Sequence, residues 1–388
     1  MRVAVVAEYY PRRRDPVLGV WAHRQALAAR DAGAEVKVLV LERPVPPAAA
    51  LRRPWKLPST LSRIARQPAT DELDGIEVRY VRFVAGDRKR TYATWHERAA
   101  GPLGEALARL REEWPFDLVH AHYALPAGGA ALPFTREHGM PLVISVHGGD
   151  VLGPLLQSDD ARAVVGGVLE SAAEVVCNSR ATHSRVAELV HDDERLRVVH
   201  LGADAPADPP PKRGSPTVAT LGHVIPRKRH ADVLEAVQTL DDLRWLVIGD
   251  GPELPQLRQA VERLGMGDRV ELAGQLEPAE ALRQLATAHV MALPSEDEAF
   301  GVAYVEALAC GVPAIGLVTE GGPAEIAACG PGMLLVPPRD PAALADAIRA
   351  ALDDPELPAR ARRTASEHFS WQRCGRDTVA AYRDALAG

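Results

Sequence analysis

His289-Val290-Met291-Ala292-Leu293 runs into Pro294-Ser295-Glu296-Asp297-Glu298-Ala299-Phe300-Gly301 and then into Val302-Ala303-Tyr304-Val305-Glu306-Ala307-Leu308-Ala309. A short apolar run, a polar turn ending in glycine and an apolar-rich helical stretch make one strand-turn-helix unit. Outward from it the same alternation fills most of the chain. Before it stand strand candidates Thr217–Leu221, Arg244–Ile248 and Arg269–Leu272, with helices from Lys228, over Glu253–Leu264 and over Ala279–Ala286. In the first half the strand candidates are Val3–Ala7, Glu35–Leu41, Ile76–Phe83, Asp117–Ala121, Pro141–Val146, Glu174–Asn178 and Arg197–His200. Helical patterns such as Val20–Ala32 and Thr91–Arg111 lie between them. Short Val/Ile/Leu-rich strands joined by amphipathic crossovers predict an α/β fold with doubly wound parallel sheets.

A chain of 388 residues predicts two domains at roughly 100–200 residues each. The run Asp204 to Pro216, with Pro206, Pro209, Pro210, Pro211 and Pro216, continues neither a helix nor a central strand and reads as a stiff linker. The expected division is therefore 1–203, a linker over 204–216, and 217–368. Phe369 to Leu386 reads as a separate amphipathic helix with Trp371, Val379, Tyr382 and Leu386 on its apolar side.

With 47% hydrophobic residues the chain can offset its conformational entropy, which excludes disorder as a whole. Its longest weakly polar run, Ala307 to Val318, is about half of the roughly 20 residues a membrane span needs. Only five apolar residues follow Arg2 before Glu8, too few for a signal peptide, so the expected location is the cytoplasm. Cys177, Cys310, Cys329 and Cys374 are scattered, without metal or disulfide spacing. The net charge of −7 argues against a nucleic-acid partner, yet the first 115 residues carry 21 Lys and Arg against 14 Asp and Glu.

Two Rossmann-like domains would place a cleft at the carboxyl ends of their strands, but no G-x-G-x-x-G follows Val3–Ala7 or Thr217–Leu221. Gly301 allows a ligand close to the backbone, and the amides after it open a helix, a setting for phosphate. Glu298 and Glu306 are carboxylates suited to accept from vicinal hydroxyls. Spacing alone favours the plainer roles, with Glu298 capping the helix and Glu306 lying on a solvated face.

This Glu-x7-Glu with an internal Phe-Gly, followed by Glu320-Gly321-Gly322-Pro323-Ala324-Glu325, resembles the nucleotide-sugar site of glycosyltransferase family 4. The resemblance covers nearly the whole chain. It implies the GT-B fold, a closing segment 369–388 that returns to the first domain, and transfer with retention of anomeric configuration, without a metal ion or other cofactor. Glu298 would contact the sugar of a UDP- or GDP-sugar donor and Glu306 its ribose. Phe300 and Gly301 would shape the diphosphate pocket, with Gly321 and Gly322 meeting sugar or phosphate.

Gly222-His223-Val224-Ile225-Pro226-Arg227-Lys228-Arg229 resembles the family's loop in which an Arg and a Lys neutralise the diphosphate. Lys228 matches the Lys. His223 stands at the donor-binding position where Arg is usual; either Arg227 or Arg229 takes over the charge or the donor is held differently. His147-Gly148-Gly149-Asp150 is similar to the family's His-Gly-x-Asp element and would bring His147 to the sugar and the incoming hydroxyl. Asp150 would orient that loop, contact the acceptor, or cap a helix. Gly19 is the one glycine available for the loop that approaches the diphosphate.

On the acceptor side His122, Tyr123 and Arg24 adjoin these loops. His120 and His122, two apart on a strand, point the same way, but no third metal ligand accompanies them. Arg52, Arg53, Trp55, Lys56, Leu57, Leu61, Arg63, Ile64 and Arg66 form a basic segment able to rest on anionic lipid at the inner face of a membrane, or a plain surface helix. The acceptor would be a small molecule, a lipid-linked group or a glycan. Rivals on the same plan are a nucleotide-sugar epimerase, a phosphorylase and a non-catalytic sugar-nucleotide binder.

Overall fold

The computed structural model describes residues 1–12, 15–44, 55, 58–59, 62, 68–152 and 158–388. Apart from positions 55, 58–59 and 62, the basic segment 52–66 lies outside them. The chain divides into two compact units: Met1–Asn178, Thr182–Val199 and Gly375–Gly388 form the first, and Ser179–Ala181 and His200–Cys374 the second. Among the described residues no helix is long and apolar enough to cross a membrane.

The first unit is built on β1 (Arg2–Ala7), β2 (Glu35–Glu42), β3 (Thr70–Leu73), β4 (Ile76–Arg82), β5 (Leu118–His122), β6 (Leu142–Val146), β7 (Glu174–Cys177) and β8 (Leu196–Val198), in the order β3-β4-β2-β1-β5-β6-β7-β8. Only β3 is antiparallel to its neighbour, β4. Val5 of β1 pairs with Val38 on one side and His120 on the other, so the strand order reverses between β1 and β5. Thr70-Asp71-Glu72-Leu73 carries no apolar run, and β3 was not among the expected strands. Leu73 pairs with Ile76 across Asp74 (φ 50) and Gly75 (φ 77), the two positive φ angles that a two-residue hairpin loop needs.

Helix α1 spans Val20–Asp31. The helix expected over Thr91–Arg111 is broken: Arg88–Thr91 and Tyr92–Thr94 are short turns, and α2 runs from Trp95 to Glu113. Ala99, Leu103, Leu107 and Leu110 recur at three- and four-residue spacing on α2 and are fully buried in the core of this unit. Each such leucine contributes about 1.5–3 kcal/mol by burial.

In the second unit β9 (Thr217–Leu221), β10 (Arg244–Ile248), β11 (Val270–Gly274), β12 (Val290–Ala292), β13 (Ala314–Leu317) and β14 (Met333–Val336) lie in the order β11-β10-β9-β12-β13-β14, all parallel. This is the 3-2-1-4-5-6 doubly wound order, with its reversal between β9 and β12. Helix α3 (Val302–Ala309) follows β12, and α4 (Gly321–Cys329) follows β13. Trp245 is fully buried and donates from Nε1 to Thr220 Oγ1 at 2.8 Å, tying β10 to β9.

The stretch 204–216 is not a free linker but part of the second unit. Lys212 Nζ donates to Ala288 O at 2.5 Å, and Arg213 donates to Thr287 Oγ1, Glu271 and Gln284. The prolines prevent regular structure, while the two basic side chains fasten the segment to residues 271–288. Helix α5 (Trp371–Ala387) begins in the second unit and belongs to the first from Gly375 on. There Thr378 Oγ1 accepts from Gln25 at 3.1 Å, and a Cβ on Gly375 would fall 2.1 Å from Ala28 O. Val379 and Tyr382 are buried as expected, whereas Leu386, at the end of the chain, is exposed.

Candidate functional site

The chemistry-bearing residues gather at the two places where strand order reverses. In the first unit, β5 ends at His122 and β6 runs into His147. Because side chains two apart share one face of a strand, His120 and His122 lie side by side, ring centroids 4.6 Å apart. His120 is fixed from both nitrogens, by Tyr382 Oη at 2.7 Å and Ser145 Oγ at 2.8 Å. His122 Nδ1 faces His147 Nε2 at 2.9 Å with the rings within 12° of coplanar. Burial pushes His120 and His147 down to about 3 and His122 well below its usual value, so all three are neutral at pH 7.

Asp150 accepts from the backbone N–H of Ala124 at 3.1 Å and of His147 at 3.2 Å and is itself buried. Burial raises its carboxyl to about 6. Of the uses raised for Asp150, these contacts are those of loop orientation: each oxygen faces a backbone amide. Tyr123 adopts φ 78, a strained conformation for a non-glycine residue, and packs its ring 5.3 Å from both Tyr9 and His147. Gly19 has φ 67, and a Cβ there would fall 2.3 Å from the Tyr9 carbonyl. The need for glycine at 19 is thus already met by the chain's own backbone.

Beside this cluster is a cavity of about 250 Å3 that sequence reading missed, lined by Glu8, Tyr9, Arg12, Leu18, Leu41, Arg43, Phe83, Arg88 and Trp95. Its charged residues follow the carboxyl ends of β1, β2 and β4. Arg88 pairs with Glu8 at 2.9 Å and lies 4.1 Å from the Tyr92 ring centroid; Arg43 donates to the carbonyls of Ala85 and Gly86. Arg12 lies 3.5 Å from Glu42, and its Nε is buried without a hydrogen-bond partner. The positive excess of the first 115 residues is the sequence signal for it, but these arginines lie far apart in the chain and form no local pattern.

In the second unit, β9 gives way to Gly222 and a short 3-10 turn, Pro226–Lys228. Lys228 Nζ donates to Glu298 Oε2 at 2.5 Å, Ser295 Oγ donates to the same oxygen at 2.8 Å, and Arg227 Nη1 lies 3.6 Å from it. Burial alone would raise the Glu298 carboxyl, but Lys228 and Arg227 outweigh it and hold the group below the usual carboxylate range. His223 is exposed, and Arg229 is turned to Asp232 at 2.8 Å. Of the two arginines suggested as substitutes, Arg227 is the one beside Lys228's partner.

Glu306 occupies a different environment: burial, and then Asp204, raise it to about 8. It is partly buried rather than on a solvated face. The Phe300 ring is not a pocket wall; it is buried between His200, 5.7 Å away at 11°, and Phe369, 5.8 Å away. Gly301 (φ 90) leaves room for Tyr304, whose Cδ2 a Cβ would meet at 2.2 Å. Gly321 and Gly322 open α4 rather than precede it; a Cβ on Gly322 would lie 2.5 Å from Phe300 O and one on Gly321 2.3 Å from Ala181 Cβ. The acidic ends of that motif also work on the loops: Glu320 accepts from the Glu298 amide at 2.8 Å, and Glu325 pairs with His200 at 2.6 Å and accepts from the Arg180 amide at 2.7 Å.

Two cations converging on one carboxylate can exchange that partner for a bound anion. Among the described residues no three His, Cys, Asp or Glu side chains are grouped to hold a metal ion.

Residues 18–205 match the family model described as Glycosyltransferase Family 4, and residues 204–368 that of Glycosyl transferases group 1. The chain is 31% identical over 359 residues to D-inositol 3-phosphate glycosyltransferase 1 of Catenulispora acidiphila, an alignment covering 83% of this chain and 84% of the relative. It is 28% identical over 305 residues to N-acetyl-alpha-D-glucosaminyl L-malate synthase of Bacillus anthracis, covering 73% and 79%. Anabaena HepE, solved in complex with UDP-glucose, shares the fold with a TM-score of 0.72 over 99% of each chain at 19% identity. Matched from residue 18 to residue 368 by two consecutive models, the chain belongs to glycosyltransferase family 4, on the GT-B fold.

Proposed function

We propose that the protein is a retaining glycosyltransferase that moves a sugar from a UDP- or GDP-sugar to a hydroxyl of a small anionic acceptor. The convergence of Lys228 and Arg227 on Glu298 carries this reading. A departing diphosphate gains negative charge as the C1–O bond breaks, and fixed cations in a partly dehydrated site stabilise that charge as it forms. Glu298, released from Lys228, accepts from hydroxyls of the donor sugar, and Glu306 holds the ribose. The new C1–O bond forms on the face the diphosphate leaves, and the leaving phosphate oxygen takes the proton of the acceptor hydroxyl. This route calls on no metal ion.

The solved complex of HepE with UDP-glucose supports the donor class. For the acceptor, support comes from the relatives named for D-inositol 3-phosphate and L-malate, both anions, together with the first-unit cavity and its Arg12, Arg43 and Arg88. A thermal-shift screen with UDP, GDP, ADP and their common sugars, with and without magnesium, tests the donor half. A ligand that binds only the native state raises the midpoint. One nucleotide family should do so regardless of magnesium; no shift with any of them would refute the donor site.

A further inference from the structure

The paired imidazoles of His122 and His147 carry a constraint that goes beyond placing His147 near a sugar. Two ring nitrogens 2.9 Å apart must share one proton, since two lone pairs repel and two N–H groups clash. One ring donates and the other accepts, which leaves the two outer nitrogens, His122 Nε2 and His147 Nδ1, with opposite character. Both are buried and neither has a hydrogen-bond partner. An orphaned N–H is the rarer and costlier of the two states. His122 is only 1% exposed, inside the sheet, where no ligand reaches Nε2. His147 is partly exposed, at the carboxyl end of its strand, with the rings of Tyr123 at 5.3 Å and Trp21 at 6.1 Å as weak interim acceptors.

We propose that His122 is a positioning residue that donates Nδ1–H to His147 Nε2 and so fixes His147 as an Nδ1–H donor toward an oxygen of the bound ligand. His147 then has no free lone pair and does not take the acceptor's proton. His120 keeps the arrangement in register: held by Tyr382 and Ser145, it packs against the His122 ring and prevents it from turning. Asp150 fixes the other partner by accepting from the His147 amide. The inference rests on the proposed function only for what the ligand oxygen is, a sugar hydroxyl.

Nitrogen-15 NMR of the wild-type protein labelled at histidine, with His147 assigned by its loss in His147→Asn, tests the tautomer without donor or acceptor. The expected result is a protonated Nδ1 and a bare Nε2 on His147; the reverse pattern overturns the proposal and leaves the glycosyl-transfer reading untouched. A second test compares two variants of equal size. His122→Asn keeps a donor at the Nδ1 position, whereas His122→Asp offers only an acceptor. Turnover in the Asp variant should fall about tenfold below that of the Asn variant, the worth of one hydrogen bond, with both melting as folded proteins. Equal turnover in the two would reduce His122 to a packing residue and overturn the proposal.

Discussion

The two points where strand order reverses are built on opposite electrostatic plans. At β1 and β5 neutral groups predominate: three imidazoles held unprotonated by burial and aromatic rings surround one carboxylate, Asp150, whose charge is met by two backbone amides. At β9 and β12 they are charged: Lys228 and Arg227 against an ionised Glu298. A neutral cluster keeps its geometry whether or not a ligand is present, because its hydrogen bonds are internal. A charged cluster holds cations whose present partner is replaceable. The first plan suits orientation, the second suits the stabilisation of charge that appears during a reaction.

The largest expected break in that comparison is Lys228→Met. Loss of the cation should lower kcat/KM by about 10²–10³-fold, the usual consequence of removing one transition-state charge partner. It should also destabilise the apo protein, since Glu298 is left buried with less compensation; steady-state kinetics and a melting curve read the two effects separately. On the neutral side, Asp150→Asn gives one of the two amides a donor to face. It should cost about 1–3 kcal/mol of stability, measured by urea denaturation.

Glu306 sharpens the contrast because it is a carboxyl of the charged unit that behaves as a neutral one. Its folded pKa of about 8 lies above the ordinary carboxylate value, so the folded state binds the extra proton. The stability this gives is fully present below the unfolded pKa and is lost as pH rises through about 8. Glu306→Gln should therefore flatten the fall in melting temperature between pH 5 and 8, while weakening nucleotide binding; an unchanged slope would remove Glu306 from its buried setting. The smallest effect belongs to His223→Ala. The side chain is exposed while Arg227 lies 3.6 Å from Glu298, so donor affinity should change by less than about twofold and stability by within about 0.5 kcal/mol.

The parallel strands were legible because they are buried on both faces and read as apolar runs, and the strand-turn-helix unit at β12 was legible in Pro294–Gly301. What escaped the sequence shares one cause: contacts made by side chains far apart in the chain. Arg12, Arg43 and Arg88 line one cavity from three strand ends, and no local pattern announces that. Phe300, expected from the family resemblance to shape the diphosphate pocket, is enclosed by His200 and Phe369, which lie far from it in the chain. The hairpin strand β3 is the exception. Its Asp74-Gly75 dipeptide is a strong local turn signal, although the strand it closes carries no apolar run.

Helix α5 makes the first unit discontinuous in sequence although it is compact in space. A fragment ending at Val199 would lack Tyr382, and with it the anchor on His120 Nδ1, and would expose the surface around Gln25 and Ala28 that Thr378 and Gly375 cover. Domain-swapped chimaeras of this protein should therefore carry Gly375–Gly388 with the N-terminal half, and an affinity tag on the C-terminus is a tag on the first unit.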